Sequence, residues 1–486
     1  FHSRSPVDYS FTDGGFQLYD AAPNGPRVTL AGEMLYRHEN WDWFGGPNDD
    51  AYDFDFIRTR LLLKVAWGNF RLFVEPQFVQ MWNLPDQAVD VGPSGMGGLY
   101  YLHNNETSPS DVGFHQAYAR YTFDLPDDWG SLRLQAGRFT YPSGLEYFNP
   151  ADGKKLNTVK KLRLGDRMIS SFEWSAFARS FDGVRADLIS NNKFAVTATY
   201  MYPTQGGWEQ DFNETIHDIR INTLVLTLPK GSLIPGTEIS LFGYNYYDSR
   251  DCSQRIDNTM PGVPGLCGGT DLDIHMVGGH LVGTLPTENG QWDYLLWGGI
   301  QTGDWYELDH SAYGVTAEGG YQWKAVPLKP WLRVGYFLGS GDSNALDGDH
   351  ETFFQMAPGT RKYQLFPYYD LQNTQSTYGQ LFLFPHKKVT IRLDYSLNRL
   401  AREEDRWYMG TGPTQSEGDI FGYLGRPSGG DKDLSKEASL MVIYKPIKQL
   451  AFNIFYSHVR GQDVIHNRYP SDEDADYFSL EMTLAF

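Results

Sequence analysis

In the segment IRTRLLLKV, Arg58, Arg60 and Lys64 fall on one side of an alternating row, and Ile57, Thr59, Leu61, Leu63 and Val65 fall on the other. The same sorting recurs along the chain. Arg133 and Gln135 oppose Leu132 and Leu134, and Arg179, Arg185 and Asp187 oppose Val184, Ala186 and Leu188. Arg333 opposes Leu332 and Val334, while Arg392 and Asp394 oppose Ile391, Leu393 and Tyr395. Arg138, in GRFTYPSG, breaks the parity of its segment and needs a bulge to join the others. Arg71 and Arg120 are further candidates. Planar guanidinium forks take carboxylates and phosphates through paired hydrogen bonds, and rings of Arg or Lys are how pores select anions. The chemistry expected of Arg58, Arg60, Arg133, Arg138, Arg179, Arg185, Arg333 and Arg392 is therefore the binding and passage of an anion. Acids at similar positions, Glu33, Glu75, Asp187, Asp394 and Glu481, support an equal alternative in which these cations serve only as structural partners.

A period of two is the mark of β-strands, whose successive side chains leave opposite faces. Eighteen alternating segments can be counted: 27–38, 54–66, 70–81, 114–123, 132–139, 179–188, 194–201, 218–228, 238–247, 274–284, 292–302, 317–323, 331–338, 377–384, 390–398, 437–444, 451–459 and 477–486. The last, YFSLEMTLAF, puts Phe478, Leu480, Met482, Leu484 and Phe486 on one face. In water such an apolar edge strand is an aggregation hazard. In a closed barrel its face meets hydrocarbon and its edge pairs with the first strand. Even-numbered strands are followed by short links such as WGN and PHKK. Odd-numbered ones are mostly followed by longer links rich in Gly, Asp, Asn and Pro, including 82–112, 141–178, 248–273, 339–376 and 399–436. The expected fold is all-β: a single up-and-down antiparallel transmembrane barrel of about 18 strands, with short periplasmic turns and long extracellular loops. It is expected to occupy 27–486, after an N-terminal periplasmic or lumen segment, 1–26, with Phe1 read as the start of a mature chain.

Composition agrees. The 486 residues are 15% aromatic, include 51 glycines and carry a net charge of −19, with a mean hydropathy of −0.46. No apolar run is long enough for a membrane helix, whereas barrel strands average out because their two faces differ. The acidic balance argues against nucleic acid as a partner. Many of the acids sit in links such as PNDDAYD, REEDR and SDEDAD, so a basic interior remains compatible with it. Cys252 and Cys267, in CSQRIDNTMPGVPGLC, are expected to form a disulfide in the loop after the ninth strand, which implies an oxidising compartment.

Other constellations carry less. GSGDSNALDGDHE offers Asp342, Asn344, Asp347, Asp349 and Glu351, oxygen ligands of the kind calcium takes, but without the EF-hand spacing. A solvated acidic loop is the favoured reading, and no metal or cofactor is expected elsewhere. His115, His275 and His280 lack a nucleophile signature beside them, so no enzyme activity is expected. The links 82–112, 141–178, 339–376 and 399–436 are too long for idle connections and are expected to narrow the mouth.

Several stretches resemble the alginate-export family of bacterial outer-membrane barrels. They are YDFDFIRTRLLLKVAWGNFRLFVEPQF, FHQAYARYTF, LRLQAGRFTYPSG, EWSAFARSFDGVRADL and WLRVGYFLGSGDSNALDGDHETFFQM. The family pattern usually has Gly-Arg-Gln, whereas here Gly137–Arg138 is followed by Phe139 and Thr140. The resemblance implies an arginine-lined conduit in the bacterial outer membrane for anionic solutes or an anionic polysaccharide such as a polyuronate. The alternative is a scaffold or sheath barrel around a partner protein, which should show small neutral lumen residues and an open bore. Expected partners are outer-membrane lipid and lipopolysaccharide, the barrel-assembly machinery and periplasmic secretion proteins.

Overall fold

The computed structural model describes residues 16–20, 25–45, 50–89, 94–126, 129–191, 193–250, 257–258, 271–359, 363, 366–410, 412–416 and 423–486. Eighteen antiparallel strands close into one barrel. They are β1 Arg27–Asp42, β2 Ala51–Trp67, β3 Phe70–Trp82, β4 Ser110–Asp124, β5 Ser131–Phe139 and β6 Phe181–Ile189. Next come β7 Ala195–Pro203, β8 Ile219–Leu228, β9 Thr237–Asp248, β10 Leu272–Pro286, β11 Gly290–Trp305 and β12 Leu308–Trp323. The last six are β13 Trp331–Gly339, β14 Thr374–His386, β15 Val389–Leu400, β16 Asp433–Ile447, β17 Leu450–Gly461 and β18 Asp474–Ala485. Each strand pairs with the next, and β18 returns to β1 with Leu484 opposite Met34. Closure removes free edges from the wall, as hydrocarbon requires, because it offers backbone groups no partners. A short strand, Phe16–Asp20, pairs with the start of β1 past the end of β18, Phe16 lying opposite Leu30.

The alternation sorts as lipid and lumen demand. Leu61, Leu63, Leu134, Val184, Leu224, Val277, Leu332, Val334, Leu440 and Leu480 are exposed on the outer wall. Trp67, Phe123, Trp292 and Trp323 lie toward the short-turn end, and Tyr200, Tyr313 and Tyr456 toward the long-loop end. These rows are the two aromatic girdles of an outer-membrane barrel. The inner face buries Glu33, Arg58, Glu75, Thr199, Gln301, Arg333, Gln380 and Ser457.

One stretch departs from the sequence reading. Residues 303–316, expected as a long link, extend β11 and β12 to a two-residue turn at Tyr306 and Glu307. Trp305, His310 and Ala312 are buried inward while Asp304, Ser311 and Tyr313 are not. The strands continue above the apolar band, where the outer face is polar, so polar residues no longer signal a loop. Gly303 makes this hairpin possible: its φ of +136° is strained for other residues, and a Cβ there would overlap the Asp273 carbonyl. Gly303→Ala is expected to destabilise the barrel by about 1–3 kcal/mol. Gly319→Ala, in the same hairpin with open space around its Cβ, should be near neutral. Urea unfolding of the two variants in detergent, followed by tryptophan fluorescence, measures the difference.

Candidate functional site

The 140–180 connection between β5 and β6 folds into the lumen and crosses it. Asn149 Oδ1 accepts a hydrogen bond from Ala151 N at 3.0 Å, with Pro150 next to it, and so starts a turn that leads into a short helix, Lys154–Val159. This stretch reaches the short-turn end of the barrel. Lys230, in the β8–β9 turn, donates to the Asp152 carbonyl at 2.8 Å, and Lys155 donates to Gln322 at 3.1 Å beside the start of β13. The chain then returns along the β9–β13 wall. Lys160 pairs with Glu238 at 2.7 Å. Arg163 and Arg167 lie 3.5 and 3.7 Å from Glu318, whose third cation is Arg333 at 3.1 Å.

On the opposite wall the same loop is latched to β2 and β4. Arg58 donates to the carbonyls of Glu173 (2.9 Å) and Ser175 (2.7 Å). Arg60 holds Glu173 Oε2 at 2.7 Å, and His115 Nε2 lies 3.2 Å from Glu173 Oε1. The other ring nitrogen of His115 meets Glu75 at 2.7 Å. His115 reaches inward because of a β-bulge. Gln116 pairs with Glu75 and Phe114 with Pro76, which leaves His115 as the extra residue. Pro76 has no N–H to give the ladder, and bulges are where strands tolerate it. The bulge also switches parity along β4. Val112 and Phe114 face outward above it, whereas Gln116, Tyr118 and Arg120 line the lumen below it.

Between the loop and the β1–β6 wall lies a cavity of about 370 Å³. Six cations line it (Arg58, Arg60, Lys64, Arg120, Arg133, Arg185) against four carboxylates (Glu33, Glu75, Glu173, Asp187). Arg58 and Arg60 are engaged by the latch, and Arg185 pairs with Asp187 at 2.8 Å. Among the described residues Lys64, Arg120 and Arg133 have no carboxylate within ion-pair distance. Lys64 and Arg120 flank Phe73 at 5.7 and 5.4 Å from its ring, and Phe73 stacks on Tyr118 at 4.7 Å.

Of the eight arginines read from the sequence, Arg58, Arg60, Arg133 and Arg185 meet in this cavity. The other four lie elsewhere. Arg333 is buried between Asp293 at 2.8 Å and Glu318, and Arg392 pairs with Asp394 at 2.7 Å. Arg179 lies just before β6, where it donates to the carbonyl of Pro413 at 3.0 Å. Arg138 is a correction. The β5–β6 register has no bulge at its position, so it faces outward at the extracellular rim and pairs with Asp182 at 2.6 Å. Lys64 was legible by parity and Arg120 as a further candidate. Glu173 was not, because a loop residue has no parity.

The extracellular end is stoppered by loops. Trp41, Trp43, Phe44, Phe366, Trp407, Tyr469 and Tyr477 form one buried cluster. A helix of the β3–β4 connection, Gly95–Asn104, places Tyr100 on Trp208, ring centres 5.0 Å apart. A small hairpin, Trp407–Gly410 with Tyr423–Arg426, belongs to the β15–β16 connection. Asp405 ties that connection to the β13–β14 loop, accepting from Asp342 N at 3.0 Å and Thr352 Oγ1 at 2.6 Å. The acidic segment 342–351 uses its side chains on its own backbone. Asp342 accepts from Asn344 N at 2.9 Å and Asp347 from Asp349 N at 3.0 Å, and among the described residues its acids form no converging metal-ligand group. Cys252 and Cys267 lie outside the described residues.

The model of the alginate export family matches residues 36–477. The chain belongs to the alginate export family. No curated protein sequence matches this alginate export family member. Its fold is similar to that of three Pseudomonas aeruginosa proteins. OccK9 (OpdG) has a TM-score of 0.57 at 11% identity, covering 94% of this chain and 98% of that one. OccK5 (OpdH) has 0.53 at 10%, with the same coverage. The outer membrane protein OpdK has 0.53 at 9%, again covering 94% and 98%. This alginate export family barrel is a channel of the bacterial outer membrane, not an enzyme.

Two outcomes follow from the latch and the stopper. Glu173→Ala leaves Arg60 and His115 without their loop partner, and losing one side of a buried ion pair costs about 3–5 kcal/mol. The loop should come off the wall, raising single-channel conductance while unheated gel mobility stays that of a folded barrel. In the stopper, burial pushes the Asp405 carboxyl up to about 6 and that of Asp370 to about 7. Raised carboxyls bind protons in the folded loops before they do in unfolded ones, so folded-loop stability falls as pH rises through these values. Limited proteolysis of the extracellular loops should be slower at pH 5 than at pH 8, and Asp405→Asn should flatten the difference.

Proposed function

We propose that this channel passes anionic solutes or an anionic polysaccharide such as a polyuronate, along the cavity on the β1–β6 wall. The observation that carries the reading is the excess of six cations over four carboxylates there, with Lys64, Arg120 and Arg133 free of carboxylate partners among the described residues. A cation at the mouth of a low-dielectric bore acts more strongly than in bulk water, because the wall focuses its field. The Phe73–Tyr118 stack between Lys64 and Arg120 adds an apolar rung, against which a sugar ring can slide while its carboxylate moves from cation to cation. Family membership supports the same cargo class. The sheath alternative has less behind it, since the lumen is filled by the protein's own loop and is lined with charge.

Arg120→Ala combined with Arg133→Ala leaves four cations against four carboxylates. In a planar bilayer with a salt gradient, the wild-type reversal potential should report anion preference, and the double variant should lose it. Uronate oligomers added from the short-turn side should reduce chloride current in the wild type and much less in the variant. A wild-type channel that already prefers cations would overturn the reading.

A further inference from the structure

The outer wall carries a second constellation, unrelated to the lumen. On β1 and β2, His38 and Asp55 are direct cross-strand neighbours. His38 Nδ1 lies 3.0 Å from Asp55 Oδ1, and Asp53, two residues away on the same face, completes a group whose ligand atoms all fall within 4.8 Å of one another. Ile57, Leu61 and Leu63 continue this face toward the membrane, so the group sits where the polar rim begins, near the extracellular ends of both strands. We propose that His38, Asp53 and Asp55 form a zinc site on the outside of the barrel.

Three features carry the assignment. Asp53 is exposed and has no hydrogen-bond or ion-pair partner among the described residues, so one ligand is uncommitted. Zinc bonds to imidazole and carboxylate are about 2.0–2.2 Å long, which at a tetrahedral angle puts neighbouring donors about 3.3 Å apart. The His38–Asp55 separation is already close to that, so a dication can take the place of the bridging proton with little movement. Asp55 is also oriented from outside the group, since Tyr36 donates to its Oδ1 at 2.6 Å, the kind of supporting bond that fixes metal ligands. The donor set distinguishes the metal. Imidazole suits zinc and its neighbours in the first transition row, whereas calcium takes six to eight oxygens and the described residues supply two carboxylates here. Three protein ligands leave a fourth position for water.

The molecule contains its own control. On β17 and β18, Tyr456 donates to Asp476 at 2.6 Å and His458 Nδ1 lies 3.0 Å from Asp476 Oδ1. The geometry is the same, but among the described residues no third ligand joins it.

The test is competition for Zn²⁺ against a chromogenic chelator, with the full folded barrel in a neutral detergent and phosphate-free buffer. The wild type should bind one Zn²⁺ per chain at this site. His38→Ala and Asp53→Asn should each weaken that binding by tenfold or more, and His458→Ala should not change it. Unheated gel mobility confirms that each variant is folded. Equal zinc binding by wild type, His38→Ala and Asp53→Asn would overturn the assignment, as would calcium competing for the site at the same concentration as zinc.

Discussion

Hydrocarbon around the barrel leaves a strand charge only one direction to point. A Lys or Arg facing lipid at mid-membrane costs about 2–4 kcal/mol, so the strand cations of the wall are gathered into the lumen or pushed to the polar rim, as Arg138 is. The rest of the interior answers to that constraint. Charges packed inside need partners, and most have them: Arg37 with Glu481, Lys160 with Glu238, Arg333 with Asp293 and Glu318. The last two of these lie on the β9–β13 wall.

The β1–β6 side differs because of what the inserted loop brings to each wall. Facing β9–β13 it contributes Lys155, Lys160, Arg163 and Arg167, which answer the acids there. Facing β2–β4 it contributes a single carboxylate, Glu173, and two backbone carbonyls. Those groups occupy Arg58 and Arg60 and leave Lys64, Arg120 and Arg133 without a carboxylate partner among the described residues. One loop thus neutralises one wall while leaving the other electropositive, and it is held in place by the same cations that mark the cavity. The extracellular stopper is of another kind. Aromatic rings and buried carboxyls hold it together.

How much of this was legible in the sequence follows from the range over which each signal acts. Alternation at a period of two depends only on neighbours along the chain and on the difference between lipid and lumen. It therefore determined the fold, the strand count, the short turns and the inward direction of Arg58, Arg60, Arg133, Arg185, Arg333 and Arg392. It failed where that difference ends: above the apolar band the polar residues 303–316 continue as strand. Only the tertiary structure decided which inward arginines stay unpaired, because that depends on acids distant in sequence and on a loop residue, Glu173, with no periodicity to read. It also decided the parity of β4, since a bulge at Pro76 and His115 exists only in the pairing of two strands. That pairing turns Arg120 toward the lumen, while Phe114, six residues before it, faces outward.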